Sequence, residues 1–572
     1  MDYTIKIGGE AGQGIQTIGD SLSKVFSRCG YHVFTHQDFM SRVRGGHNFY
    51  QIRVSDDEIS ASRAPIDILV ALDRESIFLH EGELSEIGLV VYDSTALKEK
   101  RESPKFFDVP LLDLAMKSGG DKIMVNTVAT GTVLGMLGLG TDIFLDILRD
   151  TLGKKGEAVF EANVKAAQAG HEFAGRECLQ CEFSASATGA KKMLIGINEA
   201  VGLGALASGC KFYSAYPMTP STGIMLYIAS KAREYGVIVE QAEDEIAAIN
   251  MALGASFAGV RAMTGTSGGG FALMVEGLSL AAMTETPIVI ALAQRPGPAT
   301  GLPTRTEQGD LLFALHAGHG EFPRVIFAPG TPEQALFLTN KAFDLSQKYQ
   351  IPVFVLTDQY LSDAQWTYDD FNLNKLDYTS WRTTESELEA LKEYKRHFLT
   401  DYGISPFAVP GASRHVVVTD SDEHDEDGHL IEDAPTRIQM VDKRLFRKMP
   451  LIRSEISPPV FYGESRPDVI LVGWGSTYGI MKEAIKALSA TTKIAMLHFS
   501  EIFPLPSSQA FDYLEILEKA KMTLCVEQNA SGQFARLMKA ETGFEFTGKI
   551  NRYDGRPFLV EELLGEISAY IG

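Results

Sequence analysis

Three short segments carry residue types whose spacing suits one kind of chemistry. They are Tyr216-Pro217-Met218-Thr219-Pro220-Ser221, Glu240-Gln241-Ala242-Glu243-Asp244-Glu245 and Gly265-Thr266-Ser267-Gly268-Gly269-Gly270. Two prolines fix their own φ and push the residues before them toward extended geometry, which makes the first segment a stiff loop around the Thr219 hydroxyl. Glu245 opens a helix of small residues running from Ile246 to Ala255. A flat ring can lie close to such a helix, with the carboxylate bonded to a ring nitrogen. Together with a Gly-rich turn these parts make half of a thiamin diphosphate site. The coenzyme does the hard chemistry there, and a protein carboxylate sets its tautomer. A desolvated Glu suits that task. The plainer alternative is that Glu243, Asp244 and Glu245 merely complement a helix dipole. The other half of such a site, a Gly-Asp-Gly followed by Asn that holds the diphosphate through a metal, is missing. No Gly-Asp-Gly occurs in the 572 residues. The chain is therefore expected to need a second subunit.

The elements that must position these residues are legible from hydrophobic pattern. A strand at 3–7 runs into Gly8-Gly9-Glu10-Ala11-Gly12-Gln13-Gly14, and a helical pattern follows through Ile15, Ile18, Leu22 and Val25. Residues 50–54 alternate as a strand, whereas 66–72 and 89–92 read as buried parallel strands. Helical patterns fill about 123–173. The small, polar stretch near 174–192 reads as a linker. A second α/β region starts at Met193, with strands at 211–214, 237–239 and 287–292. Residues 366–460 read as an irregular arm, and a third α/β region begins near Asp468.

Residues 193–330 closely resemble the pyrimidine-binding domain of the 2-oxoacid:ferredoxin oxidoreductases. The resemblance rests on Tyr-Pro-x-Thr-Pro at 216–220, Glu-Asp-Glu at 243–245, Gly-Ala-Ser-Phe-Ala-Gly at 254–259, Thr-Ser-Gly at 266–268 and the run Gln294–Gln308. Met218 stands where many relatives carry Ile. The stretch from Arg295 to Thr304 most resembles subunits acting on 2-oxoglutarate. The resemblance implies that Glu245 activates the aminopyrimidine and that Thr219, Arg295 and Thr304 face the substrate. It also implies that Tyr216, Pro217 and Gly268 line the coenzyme. A guanidinium can hold a carboxylate by two hydrogen bonds, which suits Arg295 to a 2-oxoacid.

The N-terminal turn with Arg42, Arg44-Gly45-Gly46 and His47 resembles the small γ domain of the same family, fused ahead of the thiamin domain. That implies a coenzyme A contact at Gly12, Gln13 and Gly14, and an anion contact at Arg44. A ligand-free structural turn is the competing reading. Gly473-Trp474-Gly475-Ser476 and Val526-Glu527-Gln528-Asn529 resemble the transketolase C-terminal-like domain, where scaffolding work is expected.

The implied fold class is α/β, with several doubly wound domains. These are a γ-like domain at 1–183, a thiamin diphosphate pyrimidine-binding domain at 193–365, a connecting arm at 366–460 and a transketolase C-terminal-like domain at 466–572. The implied activity is oxidative decarboxylation of 2-oxoglutarate with coenzyme A and ferredoxin. The β subunit would carry Mg²⁺ and a [4Fe-4S] cluster, and the assembly would be (αβ)2. Pyruvate, branched-chain and aryl 2-oxoacids are alternative substrates. A non-catalytic coenzyme A or nucleotide-binding scaffold is the alternative of another class.

Composition narrows the field. A formal charge of −21 and a pI near 5.1 argue against a nucleic-acid binder. The apolar stretch 271–293 contains Glu276 and Glu285 and fails as a membrane span. Five cysteines in so long a chain suit a reducing cytoplasm. Cys178-x-x-Cys181 reads as a structural or incidental pair rather than a metal site, and no metal is assigned to this chain. His316 and His319 read as packing or surface residues. The acidic run 420–427 reads as a solvated loop with oxygen ligands enough for a cation.

Overall fold

The computed structural model describes residues 1–572 other than Val43, Arg44, Gly120, Thr188 and Ala510. The chain divides into two compact units. The first comprises Met1–Ile195, Asp363–Phe371 and Leu559–Gly565, and the second Gly196–Ser362, Asn372–Phe558 and Glu566–Gly572.

The first unit is built on an eight-stranded sheet in the order Phe106–Asp108, Leu84–Tyr92, Ile66–Ala71, Asp2–Glu10, His47–Ser55, His32–Asp38, Gln365–Tyr368, Met193–Gly196. Asp2–Glu10 is central, parallel to Ile66–Ala71 and antiparallel to His47–Ser55. Helices Val125–Met136, Asp142–Leu152 and Glu157–Glu177 occupy the stretch read as helical. The small-residue stretch after them carries neither helix nor strand, yet the Tyr31 hydroxyl ties it down. That hydroxyl donates to the Ser186 carbonyl at 2.5 Å and accepts from the Ser186 N–H at 2.8 Å. Cys178 and Cys181 are joined in a disulfide, a bond the sequence reading did not anticipate. Cys29, Cys210 and Cys525 are buried and lie outside this disulfide.

The second unit holds two sheets. The larger runs Glu501–Phe503, Val325–Phe327, Pro352–Asp358, Ile288–Gln294, Arg261–Thr266, Cys210–Ala215, Ile238–Gln241, and all but Glu501–Phe503 are parallel. From Cys210–Ala215 the chain first places a strand on one side and then crosses to place Arg261–Thr266 on the other. Ligands of open α/β sheets sit at such a switch, beyond the carboxyl ends of the strands. The smaller sheet runs Val460–Gly463, Ile494–Phe499, Val469–Trp474, Met522–Glu527, Gly548–Asn551. Phe271, Leu278 and Leu292 share one core with Trp474, Phe499 and Phe534, so the two sheets are stabilised together. The apolar stretch 271–293 divides between the helix Gly268–Met283 and the strand Ile288–Gln294, and among the described residues no helix is long and apolar enough to cross a membrane.

The acidic run is not the solvated loop expected. His424 is fully buried, Glu423 accepts from Arg444 at 2.7 and 2.8 Å, and Glu426 accepts from the Leu399 N–H at 2.8 Å. The reason lies in the cations of this arm, which must be matched. Glu285 is 1% exposed and meets the Lys443 and Lys448 ammonium groups and His397 Nδ1. Its carbonyl accepts from Arg396 at 2.6 Å. Glu285 also holds a left-handed backbone at φ 51, a strained conformation for a residue with a Cβ. Burial alone would raise the Glu285 carboxyl. Lys443, Lys448 and His397 hold it well below the usual range instead. Burial likewise pushes the His397 imidazole well below its ordinary value.

Both groups bind protons more tightly unfolded than folded, so stability falls as pH drops through the unfolded histidine range and then the carboxylate range. Glu285→Gln leaves two buried ammonium groups unmatched and should cost about 3–5 kcal/mol at neutral pH. The deficit should narrow below about pH 4.3, where the unfolded carboxylate also protonates. Thermal melts by circular dichroism across that range check both statements, and an unchanged melting midpoint at neutral pH would refute them.

Candidate functional site

At the topological switch, the strand Cys210–Ala215 runs into the Tyr216–Ser221 loop. That loop is held from three sides. Ser221 Oγ donates to the Met218 carbonyl at 2.8 Å, Asn198 Nδ2 to the Pro220 carbonyl at 3.5 Å, and Arg295 Nη1 to the Thr219 carbonyl at 2.9 Å. The Thr219–Pro220 peptide is cis. Arg295 follows directly from the strand Ile288–Gln294, so the sheet aims it back across the loop. Burial lowers its guanidinium pKa, and nearby Asp310 opposes the shift.

The three acidic residues at 243–245 separate by role. Asp244 caps the helix Glu245–Phe257 by accepting from the Ala247 N–H at 2.7 Å. Glu243 is exposed. Glu245 is 4% exposed, and its Oε1 is buried with no hydrogen-bond partner. A helix-dipole role accounts for Asp244 but not for a carboxylate buried without a partner. Gly270 lies against it, where a Cβ would run into Glu245 Oε1 and Thr266 Oγ1. Thr266 Oγ1 in turn reaches Met218 Sδ at 4.0 Å.

Other buried polar atoms near this switch also lack partners: Tyr213 hydroxyl, Thr264 Oγ1, Ser267 Oγ and Asp310 Oδ2. Buried polar groups are normally bonded, and a cluster of exceptions points to a missing ligand or water. The parts fit an aminopyrimidine ring. There is a buried acceptor for a ring nitrogen, small Ala and Gly surfaces to admit a plane, and an apolar Met wall.

The segment 304–310 is set in place by the smaller sheet. Gln308 N–H donates to the Gln528 carbonyl at 2.6 Å, Gln528 N–H to Gln308 Oε1 at 2.9 Å, and Gln308 Nε2 to the Trp474 carbonyl at 2.8 Å. Gln533 accepts from the Leu312 N–H and donates to the Gly309 carbonyl. Those loops are stiff because Glu527, fully buried, accepts from Trp474 Nε1, Asn529 Nδ2 and the Phe534 and Ala535 N–H groups.

Thr219 and Arg295 are in direct contact. Tyr216 and Pro217 open the same loop, and Gly268 starts the neighbouring helix with Asp310 against its Cα position. Thr304 sits half-buried in the loop between Arg295 and Asp310. Gly12 and Gly14 adopt positive φ in the first unit, where a cavity of about 590 Å³ is lined by Gly12, Gln13, Leu72, Leu97, Lys122 and Asn126. Gln13 already works in the turn, its Oε1 accepting from the Glu10 N–H at 2.7 Å. Arg44 lies outside the described residues. Asp310 went unmarked in the sequence because a lone Asp just past the matched run gives no periodic or motif signal. His319 Nδ1 lies 3.2 Å from Ser279 Oγ, and among the described residues no group of three or more His, Cys, Asp or Glu is placed to hold a metal.

Comparison with known proteins agrees with this geometry. Residues 203–443 match the family described as pyruvate flavodoxin/ferredoxin oxidoreductase, thiamine diP-binding, and residues 4–173 match the pyruvate ferredoxin/flavodoxin oxidoreductase family. The chain belongs to the 2-oxoacid:ferredoxin oxidoreductases. It is 30% identical to the 2-oxoacid:ferredoxin oxidoreductase subunit alpha of Sulfolobus sp over 97% of its length and 95% of that protein. It is 27% identical to the 2-oxoglutarate oxidoreductase subunit KorA of Mycobacterium tuberculosis over 98% of its length and 90% of that protein. A solved 2-oxoglutarate:ferredoxin oxidoreductase from Magnetococcus marinus, with 2-oxoglutarate, coenzyme A and succinyl-CoA bound, superposes with a TM-score of 0.91 at 31% identity, covering 100% of both chains.

A buried carboxylate without a partner destabilises the chain that carries it. Glu245→Gln should therefore leave the coenzyme-free protein equally stable or more stable, by up to about 1–2 kcal/mol. Differential scanning fluorimetry reads this directly. A lower melting temperature would mean that Glu245 is a structural residue.

Proposed function

We propose that this chain is the α subunit, with the γ domain fused ahead of it, of a thiamin-dependent 2-oxoglutarate:ferredoxin oxidoreductase. The observation that carries the proposal is the unpartnered Glu245 carboxylate at the topological switch. Support for the substrate comes from the KorA relative and from the 2-oxoglutarate, coenzyme A and succinyl-CoA in the Magnetococcus marinus structure.

Bound thiamin diphosphate supplies a nucleophilic carbon and an electron sink for decarboxylation. The residues of this chain prepare that chemistry. Glu245 Oε1 holds the proton exchanged with the pyrimidine nitrogen. Tyr216, Pro217, Met218 and Gly268 form the walls that orient the ring and keep water away. Arg295 binds the carboxylate next to the reacting carbonyl and lowers the charge around it. Thr219 and Thr304 offer hydroxyls to the substrate side, and Arg44 an anion contact. The net reaction joins the succinyl group to coenzyme A, releases carbon dioxide and passes the electrons singly to ferredoxin.

We assign Mg²⁺, the diphosphate contacts and a [4Fe-4S] cluster to a β subunit, because this chain has no Gly-Asp-Gly. Exposed Leu226, Ile238, Ile246 and Leu273 on elements around the site support a partner seated there. Coenzyme A is assigned to the first unit, at Gly12, Gly14 and the adjoining cavity. The proposed assembly is (αβ)2 in the cytoplasm. The functional divisions are those read from the sequence, at 1–183, 193–365, 366–460 and 466–572.

Anaerobic purification of the native complex, followed by viologen reduction with a panel of 2-oxoacids, tests the proposal. Coenzyme-A-dependent reduction fastest with 2-oxoglutarate is expected. In the same complex Glu245→Gln should lower kcat by about 10²–10⁴ with assembly unchanged. Preference for pyruvate or a branched-chain or aryl 2-oxoacid would move the substrate and keep the mechanism. No turnover with any 2-oxoacid would favour a scaffold.

A further inference from the structure

The site holds a second acid, half-buried, that the proposed chemistry does not use. Asp310 Oδ2 is buried without a hydrogen-bond partner. A Cβ on Gly268 would stand 2.6 Å from that oxygen, so the carboxyl lies against the first residue of the helix Gly268–Met283. The Asp310 N–H donates to Gln294 Oε1 at 2.9 Å, and Gln294 itself is pinned by donating to the Thr357 carbonyl at 3.1 Å. Gln294 immediately precedes Arg295, so this clamp ties the Asp310 backbone to the strand end that carries the guanidinium. The charged groups whose fields act on Asp310 are Glu307 from its own loop and Arg295 from the strand end, and neither makes a hydrogen bond or ion pair with its carboxyl. The Gly268 helix turns a glycine toward it, and Gln533 contacts the backbone on either side.

We propose that Asp310 is a positioning residue that sets the net charge Arg295 presents to the 2-oxoacid carboxylate. Neutral, it leaves the guanidinium to the substrate. Ionised, it offsets the guanidinium and repels the incoming anion. This rests on the function proposed above. Burial pushes the Asp310 carboxyl up to about 6, with Glu307 adding to the rise and Arg295 opposing it. The switch therefore falls in the range of an ordinary assay. Coupling between proton and substrate is reciprocal, so binding a 2-oxoacid above that pH draws a proton onto Asp310.

The test is calorimetric titration of 2-oxoglutarate into the purified holo-complex, in buffers of different ionisation heat, from about pH 5 to about pH 8.5. One pKa unit of coupling weakens binding by up to about tenfold across that range. Proton uptake near neutral pH should accompany it. Asp310→Asn should abolish both the uptake and the pH dependence, keeping tight binding at high pH. Glu307→Gln should keep the dependence and shift its midpoint to lower pH. The proton count on the wild-type complex needs no variant, so a variant that fails to fold leaves the test standing. Wild-type binding without proton uptake, or an uptake lost in Glu307→Gln and kept in Asp310→Asn, overturns the role of Asp310 alone. A complex that binds and turns over no 2-oxoacid at any pH overturns this inference and the proposed function together.

Discussion

The second unit is organised around a carboxylate that is buried and left without a partner. Desolvating a carboxyl without compensation is unfavourable, and a chain under selection for stability alone would fill the space or supply a donor. Here the opposite is arranged. Asp244 takes the capping duty, so the carboxylate of Glu245, the first residue of the helix, is left out of the cap. Gly270 withholds the Cβ that would displace it. The topology brings the ends of Cys210–Ala215 and Arg261–Thr266 side by side at the switch, where both loops can reach the same ligand. Each of these choices spends local stability to keep one acceptor available.

That arrangement depends on rigidity supplied from elsewhere. The loop bearing Thr304 and Asp310 has no strand or helix of its own from Arg295 to Asp310. It is ordered instead by hydrogen bonds to the segment that follows the strand Met522–Glu527, Gln308 with Gln528 and the Gly309 carbonyl with Gln533. Glu527 then fixes those loops through several donors at once. The C-terminal sheet thus bears on this loop through hydrogen bonds that set its backbone. Scaffolding was the work expected of Gly473–Ser476 and Val526–Asn529, and in the structure Trp474 and Gln528 bond to Gln308.

Much of this was legible in the sequence, for identifiable reasons. Buried parallel strands such as 66–71 and 288–294 declare themselves as continuous apolar runs, and the Pro-bracketed loop and the Ala/Gly helix are local patterns. Glu245 stood out only in combination, because its local pattern alone reads as an acid at a helix start, and the Pro-bracketed loop, the Gly-rich turn and the family resemblance reverse that reading. What escaped were features made by distant partners. Asp310 gains its character from Gly268, Gln294 and Arg295, none of which marks it in the linear sequence. The acidic run 420–427 looked solvated because its charge is local, while its cationic partners Arg437 and Arg444 lie beyond it. The Cys178–Cys181 disulfide depends on backbone geometry at the end of a helix, which spacing alone does not fix.

The arm shows how burial and charge can serve architecture rather than chemistry. Glu285 stands in a left-handed turn between the Gly268 helix and the Ile288–Gln294 strand, the two elements that carry Gly270 and lead into Arg295. A strained turn at that point would relax if it could, and any relaxation would shift the glycine surface against the guanidinium. Lys443, Lys448, His397 and Arg396 all converge on this one residue from the arm. Isolated ion pairs of this kind add little net stability, yet each becomes costly to break once buried. Their effect is therefore to forbid alternatives: the turn is held in one conformation by charges that converge on it from the arm.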